Sequence, residues 1–153
     1  MMYPDVGDLA PDFTIPSTWG PLRLQEHLSE GMVLLVFYPK DATLVCTKQL
    51  CNYRDNLSVF DELGVQIIGI NDEAMEVHKA FSERHDFPFP IASDLDRKVC
   101  HRYGALGDLF KARRLLVLIG EDGRVWWRHA ELRIFHRKAA ELQRIIAELQ
   151  SHR

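Results

Sequence analysis

The most regular signal along the chain is a set of short, unbroken apolar runs separated by stretches with helical spacing. "MVLLVFY" (32–38), "VQIIGI" (65–70) and "RLLVLIG" (114–120) are long enough for strands and too short for buried helices. Each predicts a strand covered on both faces. "RVWWRHA" (124–130) follows the turn residues "EDG" and predicts a return strand paired with the one before it. Between the first two strands, apolar positions fall at 46, 50, 53, 57 and 60, one face of a helix over about 45–62. "DEAMEVHKAFSERHDF" (72–87) predicts a second helix, opened by Asp72 and closed before Pro88. Leu142, Ile145, Ile146 and Leu149 form the core stripe of a terminal helix. This alternation, with a short segment near "PFPIASD", describes a single-domain α/β sandwich: a central mixed sheet flanked by helices.

Composition narrows the class without changing that picture. At 153 residues the chain suits one domain, 1–153, because a chain of that length buries about two thirds of its unfolded surface. Charged residues are 27% and apolar residues 46%, values of an ordinary globule, and the formal charge of -3 offers no footprint for nucleic acid. No apolar run approaches the roughly 20 residues of a membrane-spanning helix, and the opening "MMYPDVGDLAPDF" lacks a secretory pattern. A cytoplasmic location is expected. The histidines show no trusted ligand spacing, His78 and His85 being seven apart, so neither a metal nor a cofactor is expected. On the return strand, Trp126 and Trp127 are expected to be one packed ring and one exposed ring; "KARR" (111–114) reads as a solvated loop.

The three cysteines cannot form a closed disulfide scaffold. Two of them lie in "YPKDATLVCTKQLC" (38–51), as inert hydrophobes, a metal half-site or a redox pair. Cys46 falls in the first turn of a helix, where unpaired N–H groups and the positive end of the macrodipole favour an anion such as a thiolate. Thr43 precedes it by three residues, and Arg114, at the head of another buried strand, supplies a charge that holds at any relevant pH. A one-residue slip in strand register would put Arg113 in its place. Cys51 poses a geometric problem, since five helical residues separate Cα atoms by about 7.5 Å along the axis and by roughly 140° around it. A disulfide needs Cα atoms within about 7 Å, so these two thiols bond only if the helix partly unwinds. Cys100, in "DRKVCHRYGA", reads as a packed helix residue.

Pro39, Thr43 and Cys46 also match the pattern Pro-x-x-x-Thr-x-x-Cys, and with "VGDLAPDF", "CNYRD", "PFPIASDLDRKVCHRYGA" and "RLLVLIGEDGRV" in order, the chain resembles the peroxiredoxins of the bacterioferritin comigratory protein, or peroxiredoxin Q, group. The resemblance implies a thioredoxin-like fold and thiol-dependent reduction of hydrogen peroxide and organic hydroperoxides. It implies that Cys46 is the peroxidatic cysteine, that Thr43 and Arg114 orient and polarise the peroxide, and that Pro39 shields the site. It further implies that Cys51 resolves the sulfenic acid as an intramolecular disulfide, which thioredoxin or a similar dithiol reduces, in a monomeric protein. Cys100 is the fallback resolver. The chain departs from the family pattern at Leu44-Val45, where Pro-Gly is common, at Gln49, where Glu is usual, and at Leu115-Leu116, where small hydroxyl residues are common. The bulky Leu44-Val45 pair motivates an alternative, a thioredoxin-like binding or chaperone module without catalysis.

Overall fold

A computed structural model of the chain describes residues 3–41, 43–106, 114–130 and 138–152. In chain order the elements are β1 (Thr14–Ser17), β2 (Gly20–Arg23), α1 (Leu24–Leu28), β3 (Met32–Phe37), α2 (Leu44–Asp55), α3 (Leu57–Glu62), β4 (Val65–Asn71), α4 (Met75–His85), β5 (Ile91–Ser93), α5 (Lys98–Tyr103), β6 (Leu115–Ile119), β7 (Val125–Ala130) and α6 (Ala139–Ser151). The seven strands form one mixed sheet in the order β2-β1-β5-β4-β3-β6-β7. β3 pairs parallel with β4, β4 parallel with β5, and β6 antiparallel with both β3 and β7. The strands expected from the apolar runs are therefore the contiguous block β4-β3-β6-β7. The β1–β2 hairpin at the sheet edge had no forecast; its strands are four residues long and carry Pro16 and Pro21, which weaken a strand signal and suit an edge.

Alternate residues of β3 feed two separate cores, as the period of two requires. Met32, Leu34, Val36 and Tyr38 pack with Cys46, Leu50, Tyr53, Phe60, Phe81, Leu142 and Ile146, so α2, α3, α4 and α6 cover one face. Val33, Leu35 and Phe37 pack with Leu24, Leu28, Val99, Cys100 and Tyr103 on the other, under α1 and α5. The peroxide-site candidate Cys46 and the fallback Cys100 thus lie on opposite faces of the sheet.

Three expected elements end differently. The helix over 45–62 is two helices, because Asn56 turns its side-chain amide back onto the Asn52 carbonyl (2.8 Å) while its own N–H reaches Tyr53 O (3.2 Å). This local side-chain bond offers the backbone an alternative to helix continuation. α4 begins at Met75 rather than at Asp72, whose carboxylate accepts from Arg97 Nε (2.7 Å); Glu73 N–H instead donates to Asn71 Oδ1 (2.9 Å), closing a turn. The tryptophans are both half-buried against the same core, because a register shift between Leu118 and Ile119 pairs those residues with Trp127 and Val125 and leaves Trp126 in a bulge. A bulge breaks the alternation that would have put one ring outside.

α5 is fixed by a buried carboxylate. Asp94, 1% exposed, accepts from the backbone N–H groups of Val99 (3.2 Å) and Cys100 (2.7 Å), pinning the first turn where those donors have no helical partner. Burial first, and then the Asp94 carboxylate, push the Cys100 thiol far above its ordinary range. Asp94→Ala removes this cap, and a loss of about 1–2 kcal/mol is expected, read as a lower urea midpoint at unchanged slope.

Candidate active site

β3 ends at Phe37, and the chain turns through Tyr38, Pro39, Lys40 and Asp41 to start α2 at Leu44. β6 runs antiparallel to β3 with Phe37 opposite Leu115. That register sets Arg114, the residue before β6, beside the turn that leads into α2. Arg114 is 1% exposed, and its Nη2 donates to Cys46 Sγ at 3.3 Å. Its Nη1 donates to Gln49 Oε1, and Gln49 Nε2 in turn donates to the Tyr53 hydroxyl at 3.1 Å. Cys46, Gln49 and Tyr53 occupy the inner face of α2 at helical spacing, all fully or almost fully buried. A buried guanidinium is costly unless its hydrogen bonds are met. Gln49 and the Cys46 sulfur are two of the partners that meet them. Arg114 is the residue that reaches the sulfur; the alternative raised by a register slip, Arg113, lies outside the described residues, as do 111 and 112 of the "KARR" run.

Thr43 is the N-cap residue of α2, in extended conformation, and its side chain makes no capping bond. Its hydroxyl donates to Lys40 O at 3.3 Å, and the residue is exposed. Pro39 is half-buried in the same turn. Leu44 and Val45 are the first two helical residues, and Leu44 is 70% exposed. Leu44 is thus largely in solvent, while Val45 is half-buried. Cys51 is half-buried one turn further on, in the same unbroken helix, with its sulfur 3.8 Å from His85 Nδ1.

A second, buried polar cluster holds the turn, and no sequence signal had singled it out. Asp41, 3% exposed, accepts from the Tyr38 hydroxyl (2.5 Å) and the Asn71 amide (3.1 Å), and its other oxygen meets His78 Nδ1 at 2.5 Å. The Asp41 N–H donates to Glu73. Burial, and then the Asp41 carboxylate, raise the Tyr38 phenol well above its usual range, so it stays a neutral donor. Burial likewise raises the Glu73 carboxyl, opposed by the Asp41 N–H. The only trace of this cluster in the sequence is that His78 shares a face of α4 with Phe81 and His85, at positions where apolar residues are expected.

Between α2 and α4 runs a groove of about 710 Å³ lined by Leu44, Thr47, Val77, Phe81 and His85, with Asp41 at one end. It is largely apolar, and Cys46 does not line it. Among the described residues no His, Cys, Asp and Glu group has the geometry to hold a metal ion. No helix among them is long and apolar enough to cross a membrane.

What the arrangement does chemically is place a thiol at a helix N-terminus, under a fixed positive charge, beside a rigid polar anchor. The family model described as AhpC/TSA family matches residues 6–128. A Coxiella burnetii protein named "Putative peroxiredoxin bcp" is 36% identical over 126 residues, covering 78% of this chain and 83% of that one. The chloroplastic peroxiredoxin Q of Arabidopsis thaliana is 40% identical over 107 residues, 69% of this chain; the match spans about half, 49%, of that protein's length. Among solved structures, peroxidoxin BcpB from Mycobacterium tuberculosis superposes with a TM-score of 0.85 at 30% identity, covering 99% of both chains. The reduced 2-Cys peroxiredoxin of Plasmodium vivax gives 0.90 at 26% identity, covering 96% of this chain and 97% of that one.

Asp41→Ala orphans the Tyr38, Asn71 and His78 donors at once, inside the core. A loss of about 3 kcal/mol is expected, the cost of leaving several buried donors without their acceptor, measured by urea unfolding. A change under a few tenths would mean that the cluster does not hold the turn.

Proposed function

The chain belongs to the AhpC/TSA family and, within it, to the bcp and peroxiredoxin Q group; it is a thiol-dependent peroxidase, and we propose that Cys46 is the thiol that carries its chemistry. The observation that carries this assignment is the 3.3 Å contact between the Cys46 sulfur and a buried arginine. The Cys46 thiolate attacks one peroxide oxygen, the O–O bond breaks, and the other oxygen leaves as hydroxide or alkoxide. Cys46 becomes a sulfenic acid. Charge moves from sulfur to the departing oxygen, and a donor fixed before the reaction stabilises that movement without reorganising. Arg114 is such a donor, because Gln49 holds one arm of its guanidinium while the other faces the sulfur.

Thr43 takes a complementary part. With its proton given to Lys40 O, the hydroxyl oxygen accepts from the peroxide O–H and orients it toward the sulfur. Pro39, half-buried in the turn, limits water at the site. Cys51 then attacks the sulfenic sulfur, giving a Cys46–Cys51 disulfide and water. Because both cysteines lie within α2, the step requires loss of helix at its N-terminal turns. The substrates are hydrogen peroxide and organic hydroperoxides, and a thioredoxin-like dithiol restores the reduced state in a monomeric protein; three free cysteines suit a reducing compartment such as the cytoplasm. Cys100 is excluded from the cycle in this reading, since it faces the opposite core and burial keeps it a thiol. The alternative of a non-catalytic module loses its motive, because exposed Leu44 does not fill the site.

Two substitutions test the assignment. Cys46→Ser is expected to abolish peroxide-dependent NADPH consumption with thioredoxin and thioredoxin reductase. Cys51→Ser is expected to keep one round of oxidation but to leave a trappable sulfenic acid by intact mass. Substantial turnover in the first variant would contradict the role of Cys46, and a Cys46–Cys100 bond in the oxidised unaltered protein would contradict that of Cys51.

A further inference from the structure

The resolving step leaves a chemical need unmet by Cys46, Thr43 or Arg114. Its reacting groups are a Cys51 S–H and a Cys46 S–OH. The S–S bond forms, the S–O bond breaks, the Cys51 sulfur is oxidised as the sulfenic sulfur is reduced, and the proton and hydroxide leave together as water. A thiol attacks as its thiolate. Burial, the largest effect, raises the Cys51 thiol above its ordinary value; Arg54 opposes this and Asp55 adds to it. The nucleophile is therefore scarce at neutral pH unless a base takes its proton during the attack.

The side chain in contact with the Cys51 sulfur is His85, with Nδ1 at 3.8 Å. Its ring is fixed edge-on to Phe81 (5.2 Å between centroids) and stacked on Phe87 (5.5 Å). It also lines the groove between α2 and α4, so a proton gained there can pass to solvent. The contact is moreover placed to survive the unwinding that the disulfide demands. Arg54 Nη1, one turn beyond Cys51, donates to the His85 carbonyl at 2.6 Å. Asn52 Oδ1 accepts from Ala139 N–H at the start of α6 (2.7 Å), and Asn56 O accepts from Gln143 Nε2 (3.2 Å). The half of α2 from Cys51 onward is thus tied to α4 and α6. The half before it depends on Cys46, Gln49 and Arg114, contacts that oxidation of the sulfur itself disturbs.

We propose that His85 is a catalytic residue of the resolving step, the general base that takes the Cys51 proton as Cys46 swings to a stationary Cys51–His85 pair. The imidazolium then releases the proton through the groove, where it combines with the departing hydroxide as water. This inference rests on the reading of Cys51 as resolver.

The test mixes reduced protein with one equivalent of hydrogen peroxide and follows tryptophan fluorescence by stopped flow, with dimedone trapping and intact mass at each time. In His85→Gln the second phase, disulfide formation, is expected to slow about 10- to 100-fold at pH 7, the lower range for loss of a general base from a thiol that ionises a little unaided. The deficit narrows as pH rises, because Cys51 then ionises without help; among the described residues, the other charged groups near the pair are Arg54 and Asp55 on α2, and Arg84 and Asp86 at the end of α4. In His85→Ala, added imidazole restores the second phase. An unchanged second phase, or a loss equal at every pH and unrescued by imidazole, overturns the role of His85. Absence of a Cys46–Cys51 bond in the unaltered protein overturns the resolver reading instead, and the base with it.

Discussion

One buried charge organises the reactive half of this molecule. Arg114 sits in the core with almost no solvent, and a guanidinium there is tolerable only when polar atoms are brought to it. Gln49 and Cys46 come from one helix and Arg114 from the threshold of a strand 65 and 68 positions away, so the contact locks α2 onto the sheet. A Glu at position 49 would bring a full negative charge to the guanidinium. The neutral Gln leaves that positive charge less compensated by its neighbour and more available to the reacting sulfur and oxygen. In the proposed cycle, the same bond that stabilises the reduced fold is therefore the one that assists the chemistry.

The consequence is a helix with unequal halves. Ahead of Cys51, the side-chain hydrogen bonds that tie α2 to the sheet run from Cys46 and Gln49 to Arg114, beside the core packing of Leu50. Beyond it, Asn52, Arg54 and Asn56 are bonded to α6 and to the end of α4. Loss of a few contacts at one end can then unwind that end alone, which is how a small chemical change becomes a local conformational one. The Asp41 cluster bounds the motion from the other side, keeping the turn after β3 anchored to β4 and α4. Unwinding is confined between two fixed points.

The sheet separates this reactive machinery from an inert thiol. Cys46 and Cys100 are both nearly inaccessible, yet their environments differ in kind: a guanidinium beside the first, a carboxylate and apolar burial around the second. Alternation along β3 puts them in different cores, so no modest rearrangement brings them together. Burial alone does not distinguish the two thiols; the sign of the nearest charge does, and it is what favours Cys46 over Cys100 in the proposed cycle.

Periodicity in the sequence was enough to place the central strands, the helices that cover one face of the sheet and the cysteine in its helical first turn, because these depend on residues a few positions apart; α1 and α5, on the other face, are too short to show a period. Five-residue spacing likewise implied that a Cys46–Cys51 bond needs unwinding, a property of helix geometry wherever the helix lies. The edge hairpin and the break at Asn56 escaped because short proline-bearing strands and one side-chain hydrogen bond leave no periodic trace. Asp41 with His78, and Cys51 with His85, were illegible for a stronger reason. Those partners stand 37 and 34 positions apart, and only strand register and helix packing decide that they meet. Likewise Arg114, rather than a neighbour, faces the sulfur because Phe37 pairs with Leu115, a choice made by the sheet as a whole.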